Sequence, residues 1–300
     1  MYTPDKKNSD EILDLKDFEK YKKMTVYTGE LFQKDDYLKE RGELIEHCGD
    51  FLTFDENKKL CSANFCRQRL CPNCQRRKSL KTYGQIKRLS EYLVSEGYEF
   101  IHLVLTVRNV DGEQLPDTIT DLYTASSRFF SDEEIKRVFK GVLRCLEVSY
   151  SKRDCNFHPH LHCLVAVKKS YFKSRYYLKI LTIRELWQKH LKADYMPQCW
   201  ARKCNEKAIA EVAKYAVKPL DLNLCDSLRL AVLKQLFFAL HGRRLIQTYG
   251  VIRVSAKKLK IDFDSDELSD SEISVSEQKN TYVYNFKLRK YEPRSLKNSK

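Results

Sequence analysis

Three apolar, β-rich segments constrain the fold of this chain more than any other feature. Residues 98–110, 141–151 and 158–167 are short runs rich in β-branched and aromatic residues. Only the short segment "SKRDCNF" separates the second run from the third, which predicts a tight antiparallel hairpin. Helical patterns separate the remaining runs. The sequence therefore predicts an α+β fold with an antiparallel sheet rather than a parallel one.

The third of these strands carries three of the seven histidines of the chain. His158, His160 and His162 alternate in "HPHLH", so their side chains share one face of the strand. Neighbouring members of the set are ~7 Å apart at the backbone, close enough to converge on one cation. The alternative is a row of half-exposed histidines that bind nothing. Three imidazoles within five positions of an apolar strand favour a metal site.

A third ligand is predicted from the register of the hairpin. If the loop is symmetric, Glu147 lies opposite His160. Two imidazoles and a carboxylate suit a divalent cation such as Mn²⁺ or Mg²⁺ that holds a phosphate oxygen. A slip of one residue would move Glu147 to the other face. An ordinary ion pair of Glu147 with Arg144 or Lys152 is the open alternative.

The segment "NEKAIAEVAKYAVKPLD" predicts a helix that ends at Pro219. Glu211, Tyr215 and Lys218 are spaced to share one face of it. A tyrosine with its free pKa of ~10 is a poor nucleophile, and a nearby cation or base would activate it. The alternative is chance, because a chain with 18 tyrosines will place one near a lysine.

A cysteine-rich basic segment precedes the strands. Cys66, Cys71 and Cys74 have the spacing C-x4-C-x2-C, and "CPNC" is typical of half a zinc site. Either Cys48 or Cys61 can supply a fourth ligand, and Cys48 is favoured because it closes the longer loop. The alternative is a set of buried thiols. Bound Zn²⁺ would be structural, and it would present to DNA phosphates a group of basic side chains: Arg67, Arg69, Arg76, Arg77, Lys78 and Lys81.

The charge distribution indicates a polyanionic partner. The formal net charge is +14, and residues 61–90 hold eight Lys or Arg and no acid, whereas 262–277 hold seven acids and no base. The chain has no apolar run of the ~18 residues that a membrane span needs and no signal peptide at its start. A cytoplasmic protein is therefore expected, and its 11 cysteines are expected to be thiols or metal ligands.

Together these motifs resemble those of the HUH endonucleases, and more closely those of the rolling-circle replication initiator (Rep) proteins of small bacterial plasmids. "HPHLH" is followed some fifty residues later by "EVAKYAVK". "LVLTVRN", "LRCLEVSY" and "HGRRLIQTYG" are similar to other stretches of that family, and the segment from "CGDFLTF" to "QRRKSLK" is similar to its cysteine-arginine module. The resemblance spans about residues 45–255, and the motifs occur in the family's order.

The resemblance implies a role for each candidate residue. His160 and His162 match the metal-binding pair, Glu147 the third ligand, and His158 a position that either ligates or supports. Tyr215 matches the nucleophile, Lys218 the lysine of the Tyr-x-x-Lys motif, and Glu211 an acid that activates water when replication ends. The "CG" at Cys48 matches the family's element, which also favours Cys48 over Cys61.

The resemblance further implies nicking and joining of origin DNA through a 5′-phosphotyrosyl intermediate, which leaves a 3′-OH primer, with a host helicase and polymerase as partners. It implies a five-stranded HUH sheet of the RRM or ferredoxin-like type. The expected segments are a polar arm (1–44), the cysteine module and a helix (45–96), the catalytic domain (97–220), a helical extension (221–260) and a flexible tail (261–300). The rival functions are a single-tyrosine HUH transposase or relaxase, and a non-catalytic zinc-dependent DNA-binding regulator.

Overall fold

The structure is a computed structural model that describes residues 14–213, 224–263 and 280–294, without the side chains of 206–208. Two compact units make up the chain. The first is built mainly from residues 81–218 and 231–264, and the second from 5–80, 219–230 and 265–300. No helix among the described residues is long and apolar enough to cross a membrane.

The first unit is organised around a five-stranded antiparallel sheet with the strand order β6-β3-β5-β4-β7. This confirms the predicted α+β class and the antiparallel sheet. Its strands are β3 (Tyr98–Thr106), β4 (Gly141–Ser151), β5 (Asn156–Lys168), β6 (Cys199–Lys203) and β7 (Ile246–Tyr249). Its helices are the later part of α3 (Pro72–Ser95), α4 (Leu115–Ser131), α5 (Glu133–Val138), α6 (Ile180–Leu191), α7 (Glu206–Val212), the later part of α8 (Asp226–Leu240) and α9 (Gly250–Lys258), with a 3₁₀ turn at Lys169–Lys173.

The hydrophobic core on one face of this sheet joins three helices to the strands. Leu143, Cys145 and Leu164 of the sheet lie in one buried cluster with residues of α3, α7 and α9, among them Ile86, Val212 and Ile252. Strand side chains alternate between faces, so the residues two positions further along β4 and β5 lie on this same face. Those residues are Glu147 and His162. We refer below to this face of the sheet as the histidine face.

The helices α4 and α6 pack against each other through aromatic side chains. The rings of Phe129 and Trp187 meet edge to face at 5.8 Å, and the Trp187 Nε1–H donates to the carbonyl of Thr106. Leu122 and Phe129 of α4, Val138 of α5 and the following Phe139 are all buried.

The second unit contains α1 (Leu15–Gln33), α2 (Lys39–Glu46) and the start of α3. Its four-stranded antiparallel sheet has the order β2-β1-β8-β9. The strands are β1 (Phe51–Phe54), β2 (Leu60–Ala63), β8 (Thr281–Asn285) and β9 (Lys290–Pro293). A core of Phe18, Leu52, Phe54, Ala63, Tyr284 and Tyr291 joins α1 to both hairpins.

The expected loosely packed arm at residues 1–44 is wrong for the part that the structure describes, which forms α1 and most of α2. The buried face of α1 is partly polar: Lys22 and Thr25 are fully buried beside apolar residues such as Phe18 and Phe32. The Nζ of Lys22 donates to the carbonyl of Glu46 (2.5 Å) and pairs with the Asp50 carboxylate (2.6 Å). Polar residues therefore interrupt the apolar period by which an amphipathic helix is recognised in a sequence.

Two further expectations are corrected near the C-terminus. The helical extension at 221–260 contains β7, which pairs with β4 and completes the five-stranded sheet. The tail expected at 261–300 contains β8 and β9, and β8 pairs with β1. Both corrections involve strands of four or five residues that pair with segments far away in the sequence. No pattern in the neighbouring residues therefore predicts the pairing.

Candidate functional site

A carboxylate and two imidazoles meet on the histidine face. The predicted register is confirmed, because Glu147 pairs with His160 across the hairpin. The Nε2 of His162 lies 3.0 Å from the Glu147 Oε2 and 3.1 Å from the His160 Nε2, and the His160 Nε2 lies 3.8 Å from the same Oε2. Adjacent ligands of an octahedral ion with bonds of ~2.1 Å are about 3 Å apart. The three side chains therefore fit a divalent cation.

The Nδ1 atoms of His160 and His162 each contact a neighbouring group that orients the ring. The Nδ1 of His160 lies 3.1 Å from the carbonyl oxygen of His158, and the Nδ1 of His162 lies 3.0 Å from the Nε2 of His102. Partners on Nδ1 fix the ring orientation and direct the Nε2 lone pair towards the group. Burial, reinforced by the neighbouring His162, lowers the pKa of His160 to about 4. His160 is therefore neutral at pH 7, as a metal ligand must be.

His158 occupies a different position from the other two histidines. The ligand atoms of Glu147, His160 and His162 all lie within 4.8 Å of one another, and His158 is outside that group. Its Nδ1 lies 2.7 Å from the Oδ1 of Asn109, and burial lowers its pKa. The structure places His158 where it supports His160 through its backbone carbonyl. A ligand role for His158 remains a prediction.

The sequence analysis missed His102. It lies on β3 with only 1% of its surface exposed, and its ring stacks on that of His162 with centroids 5.3 Å apart. A signal was present, because a histidine inside the apolar run "YEFIHLVLTV" needs a polar partner. The sequence does not contain the pairing of β3 with β5 that identifies this partner.

The described part of the predicted tyrosine helix is α7, which carries Glu211 and ends at Val212. Val212 and Ala213 pack in the core of the histidine face, so they lie on the same side of the sheet as the Glu147–His160–His162 group. Tyr215 and Lys218 lie outside the described residues. The roles predicted for these two residues and for Glu211 remain predictions.

The second unit contains a cluster of four cysteines. Ligand sulfurs of Cys48, Cys66, Cys71 and Cys74 all lie within 4.8 Å of one another, with the Cys74 Sγ 3.6 Å from Cys48 and 3.7 Å from Cys66. A tetrahedron with Zn–S bonds of ~2.3 Å has edges of about 3.8 Å. Cys48 therefore completes the set, and Cys61, whose Sγ lies 3.4 Å from the carbonyl of Lys59, does not belong to it.

The electrostatics of this cluster favour a cation. Hydrogen bonds from the surrounding thiols, Cys48 first, lower the pKa of Cys66. The same contacts raise the pKa of Cys48 and Cys74, and burial raises that of Cys71. Without a cation, burial and the neighbouring sulfurs therefore oppose ionisation of Cys48, Cys71 and Cys74. A divalent cation would allow all four to ionise, which fits a closed structural site.

The basic residues of the cysteine segment are not equivalent. Arg67 is exposed, and the Arg77 guanidinium lies 4.0 Å from the centroid of the Phe65 ring. Arg76 is different: it pairs with Asp17 and lies over the rings of Phe18 and Tyr21. Only 12% of the Arg76 side chain is exposed, which does not support a phosphate contact there. Arg69, Lys78 and Lys81 are half-buried.

The fold and the two clusters define a class: an α+β protein with antiparallel sheets, one Glu-His-His group able to hold a metal ion, and one four-cysteine group. A family model described as "Replication protein" matches residues 57–292, which is well over half of the chain. The chain therefore belongs to the Rep family of replication proteins, as its motifs suggested.

Several relatives support this membership. A "Protein rep" of Streptococcus pneumoniae serotype 2 (strain D39 / NCTC 7466) is 31% identical over 254 residues, which cover 80% of this chain and 78% of that protein. Another from Lactiplantibacillus plantarum is 34% identical over 240 residues, covering 74% and 76%. A third, from Staphylococcus aureus, is 34% identical over 189 residues, covering 60% and 82%. No solved structure matches this chain.

Proposed function

We propose that this chain is a metal-dependent HUH tyrosine nuclease that initiates rolling-circle replication of a plasmid in the cytoplasm. It nicks one strand at the origin, holds the 5′ end covalently and later rejoins the strand. Membership of the Rep family supports the replication role. The observation that carries the chemistry is the Glu147–His160–His162 group, which lies on the sheet face against which α7 packs.

These three side chains would hold Mn²⁺ or Mg²⁺. Bound there, the ion supplies Lewis-acid chemistry, because it offsets negative charge on a phosphate and orients it. The protein's own part is to keep the His160 imidazole neutral and to hold both imidazole rings in the orientation that a metal ion needs. Burial lowers the His160 pKa to about 4, and the carbonyl of His158 and the ring of His102 hold the two Nδ1 atoms.

In the proposed reaction, the phenolic oxygen of Tyr215 attacks the scissile phosphorus in line. The new bond joins Tyr215 to phosphorus, and the bond from phosphorus to the 3′ oxygen breaks. The phenol loses one proton and the departing 3′ oxygen gains one, so the exchange is balanced and reversible. Lys218, three residues after Tyr215, would favour the phenolate. The free 3′-OH then primes a host polymerase behind a host helicase.

Glu211 precedes Tyr215 by one helical turn. We assign to it the role of general base for a water molecule in the final cleavage. Hydrolysis by this route would release the finished circle without a second tyrosine nucleophile.

The four-cysteine group would hold a structural Zn²⁺ and so order the segment that carries the basic residues. Arg67, Arg69, Arg77, Lys78 and Lys81 then remain candidates for phosphate contacts at the origin. Because all four ligand positions are filled by sulfur, no open position is left for catalysis.

The decisive experiment is the capture of a covalent adduct. Purified protein with Mn²⁺ is incubated with a pool of single-stranded DNA that includes candidate plasmid origins, and species that survive SDS are measured. We expect an adduct with wild type, none with Tyr215→Phe, and at least a tenfold loss with His160→Ala. Tyr177→Phe, which alters a tyrosine that is 51% exposed, is the matched control and should react as wild type does.

The rival functions predict different results. A non-catalytic zinc-dependent regulator would bind the DNA, form no adduct and be indifferent to Tyr215→Phe. A transposase or relaxase would form the adduct, but the captured DNA would map to transposon ends or transfer origins instead of a replication origin.

A further inference from the structure

We propose that Trp200 and Arg202 on β6 form a binding site for an unpaired base of single-stranded DNA. The base would belong to a nucleotide next to the phosphate held at Glu147, His160 and His162. This inference rests on the proposed function, because it assigns a substrate contact to the same site.

The sheet register places Trp200 in line with the candidate metal group. Trp200 pairs with Val104 of β3, and Val104 pairs with His162 of β5. Directly paired residues lie on the same face, so Trp200 and His162 share the histidine face two strand spacings apart, or ~10 Å. β6 is an edge strand, and a chain that enters from this edge would meet Trp200 before it reaches His162.

A series of ring contacts connects Trp200 to His162. The Trp200 ring meets the His102 ring edge to face, with centroids 5.2 Å apart at 88°. The His102 ring in turn stacks on His162. The indole is therefore held in a fixed position relative to the Glu147–His160–His162 group.

The exposure of Trp200 leaves its indole ring accessible to a ligand. The chain has two tryptophans; Trp187 is fully buried, whereas 44% of Trp200 is exposed. Aromatic side chains that remain exposed in a cleft or at a sheet edge are the usual stacking surfaces for unpaired bases. The flat faces of a base are apolar and match an indole.

Arg202 supplies the charge that distinguishes a nucleotide from an apolar peptide. Its guanidinium lies 4.5 Å from the centroid of the Trp200 ring. The neighbouring Lys203 is paired with Glu99 at 2.8 Å, whereas within the described parts of the chain no acidic side chain forms an ion pair with Arg202. An indole beside an uncompensated guanidinium complements a base and its phosphate together.

This chemistry selects single-stranded DNA over duplex. In a duplex both faces of each base are already stacked, so a protein ring at a sheet edge has no base face to contact. An unpaired nucleotide offers one at no unstacking cost.

The test compares binding of a fluorescent oligothymidylate of about 20 nucleotides with binding of a duplex of equal length. All proteins carry Tyr215→Phe, so that no covalent product forms. We expect Trp200→Ala to weaken oligothymidylate binding about tenfold, Trp200→Phe to retain most of the affinity, and duplex binding to change less than about twofold. Tyr176→Ala is the matched control, because Tyr176 is 40% exposed and contacts Arg175.

Each other outcome overturns the proposal. Unchanged oligothymidylate binding in Trp200→Ala, or an equal loss of binding in Tyr176→Ala, would show that Trp200 is not a specific stacking site for a base. A parallel loss of Mn²⁺ affinity in Trp200→Ala, measured by electron paramagnetic resonance, would show that Trp200 only supports the fold around His102. The nuclease proposal fails separately: if no adduct forms but Trp200→Ala still loses oligothymidylate binding, the base site stands without the tyrosine chemistry.

Discussion

His102 affects the candidate metal group indirectly, through its contact with His162. It is buried, and its Nε2 shares a hydrogen bond of 3.0 Å with the Nδ1 of His162. With the His162 Nδ1–H as the donor, this bond leaves the His162 Nε2 lone pair available to a metal ion, and outer partners of this kind tune metal affinity.

We therefore expect His102→Phe to lower the affinity for Mn²⁺ by about 10- to 100-fold, because Phe keeps the ring packing and removes the hydrogen bond. Titration of the metal-free protein with Mn²⁺, followed by electron paramagnetic resonance, measures this directly. His47→Ala is the control, since 61% of the His47 side chain is exposed and it lies in the other unit. Wild-type affinity in His102→Phe would mean that His162 orients itself without this partner.

At the scale of single elements, the loop from α2 to β1 and the start of α3 assemble the cysteine cluster. Cys48 lies in that loop, and the Lys22 Nζ donates to its carbonyl at 3.2 Å. Cys71 immediately precedes α3, which begins at Pro72, and Cys74 lies in the first turn of that helix. The cluster thus depends on both elements.

Zinc content should separate the two candidate fourth ligands. We expect about one Zn²⁺ per chain in wild type and in Cys61→Ala, and loss of the ion together with a lower thermal midpoint in Cys48→Ala. Atomic absorption after gel filtration measures the content. Equal zinc in both variants would contradict a four-cysteine site completed by Cys48.

Asp132 connects α5 to α6. Its carboxylate caps α5 by accepting from the Glu134 N–H (3.0 Å) and pairs with the His190 Nε2 at 2.8 Å. Burial opposes ionisation, but the hydrogen bond with His190 and the cap outweigh it, so the Asp132 pKa is lowered.

A group whose pKa is lower in the folded state stabilises the protein above its unfolded pKa of ~3.9, and this contribution disappears as the pH falls through the folded value. We expect Asp132→Asn to cost about 1–2 kcal/mol at pH 7 and the difference from wild type to shrink as the pH falls below ~3.9. Urea unfolding between pH 3 and pH 7 measures it. Asp121→Asn, an exposed acid on α4, should show no such convergence; a pH-independent gap for Asp132→Asn would rule out the ionic contribution.

At the scale of the whole molecule, the C-terminal hairpin is part of the unit that contains the first two helices. β8 pairs with β1, the rings of Tyr284 and Tyr291 lie in the core with Phe18, and the Tyr291 hydroxyl donates to the carbonyl of Gly49, next to Cys48.

A chain that ends at residue 263 should therefore lose at least about 3 kcal/mol of stability in this unit, because β1 becomes an edge strand and two buried tyrosines are removed. Differential scanning calorimetry and zinc content measure the effect. A chain that ends at residue 294 keeps the hairpin and is the control. Equal thermal midpoints and zinc content in the two truncations would show that the hairpin contributes little.

The sequence by itself determined the features that depend on neighbouring residues. A hairpin with a short loop and a side-chain period of two fixes the register, so Glu147 opposite His160 could be predicted. Cysteine spacing likewise identified Cys66, Cys71 and Cys74, and the motif order identified the family. The roles of Tyr215 and Lys218 were inferred from the resemblance and remain predictions.

Only the tertiary structure decided which distant segments meet. The contact of His102 with His162, the addition of β7 to the sheet, and the pairing of β8 with β1 join residues 60 to more than 200 positions apart. Such contacts are stabilised by burial and by hydrogen bonds that form only after the chain has closed large loops. No local sequence pattern specifies which of these distant segments will pair. The buried Lys22 on α1 is the extreme case, because its charge predicts exposure, whereas Asp50, two carbonyls and the rings of Tyr284 and Phe286 surround its ammonium group.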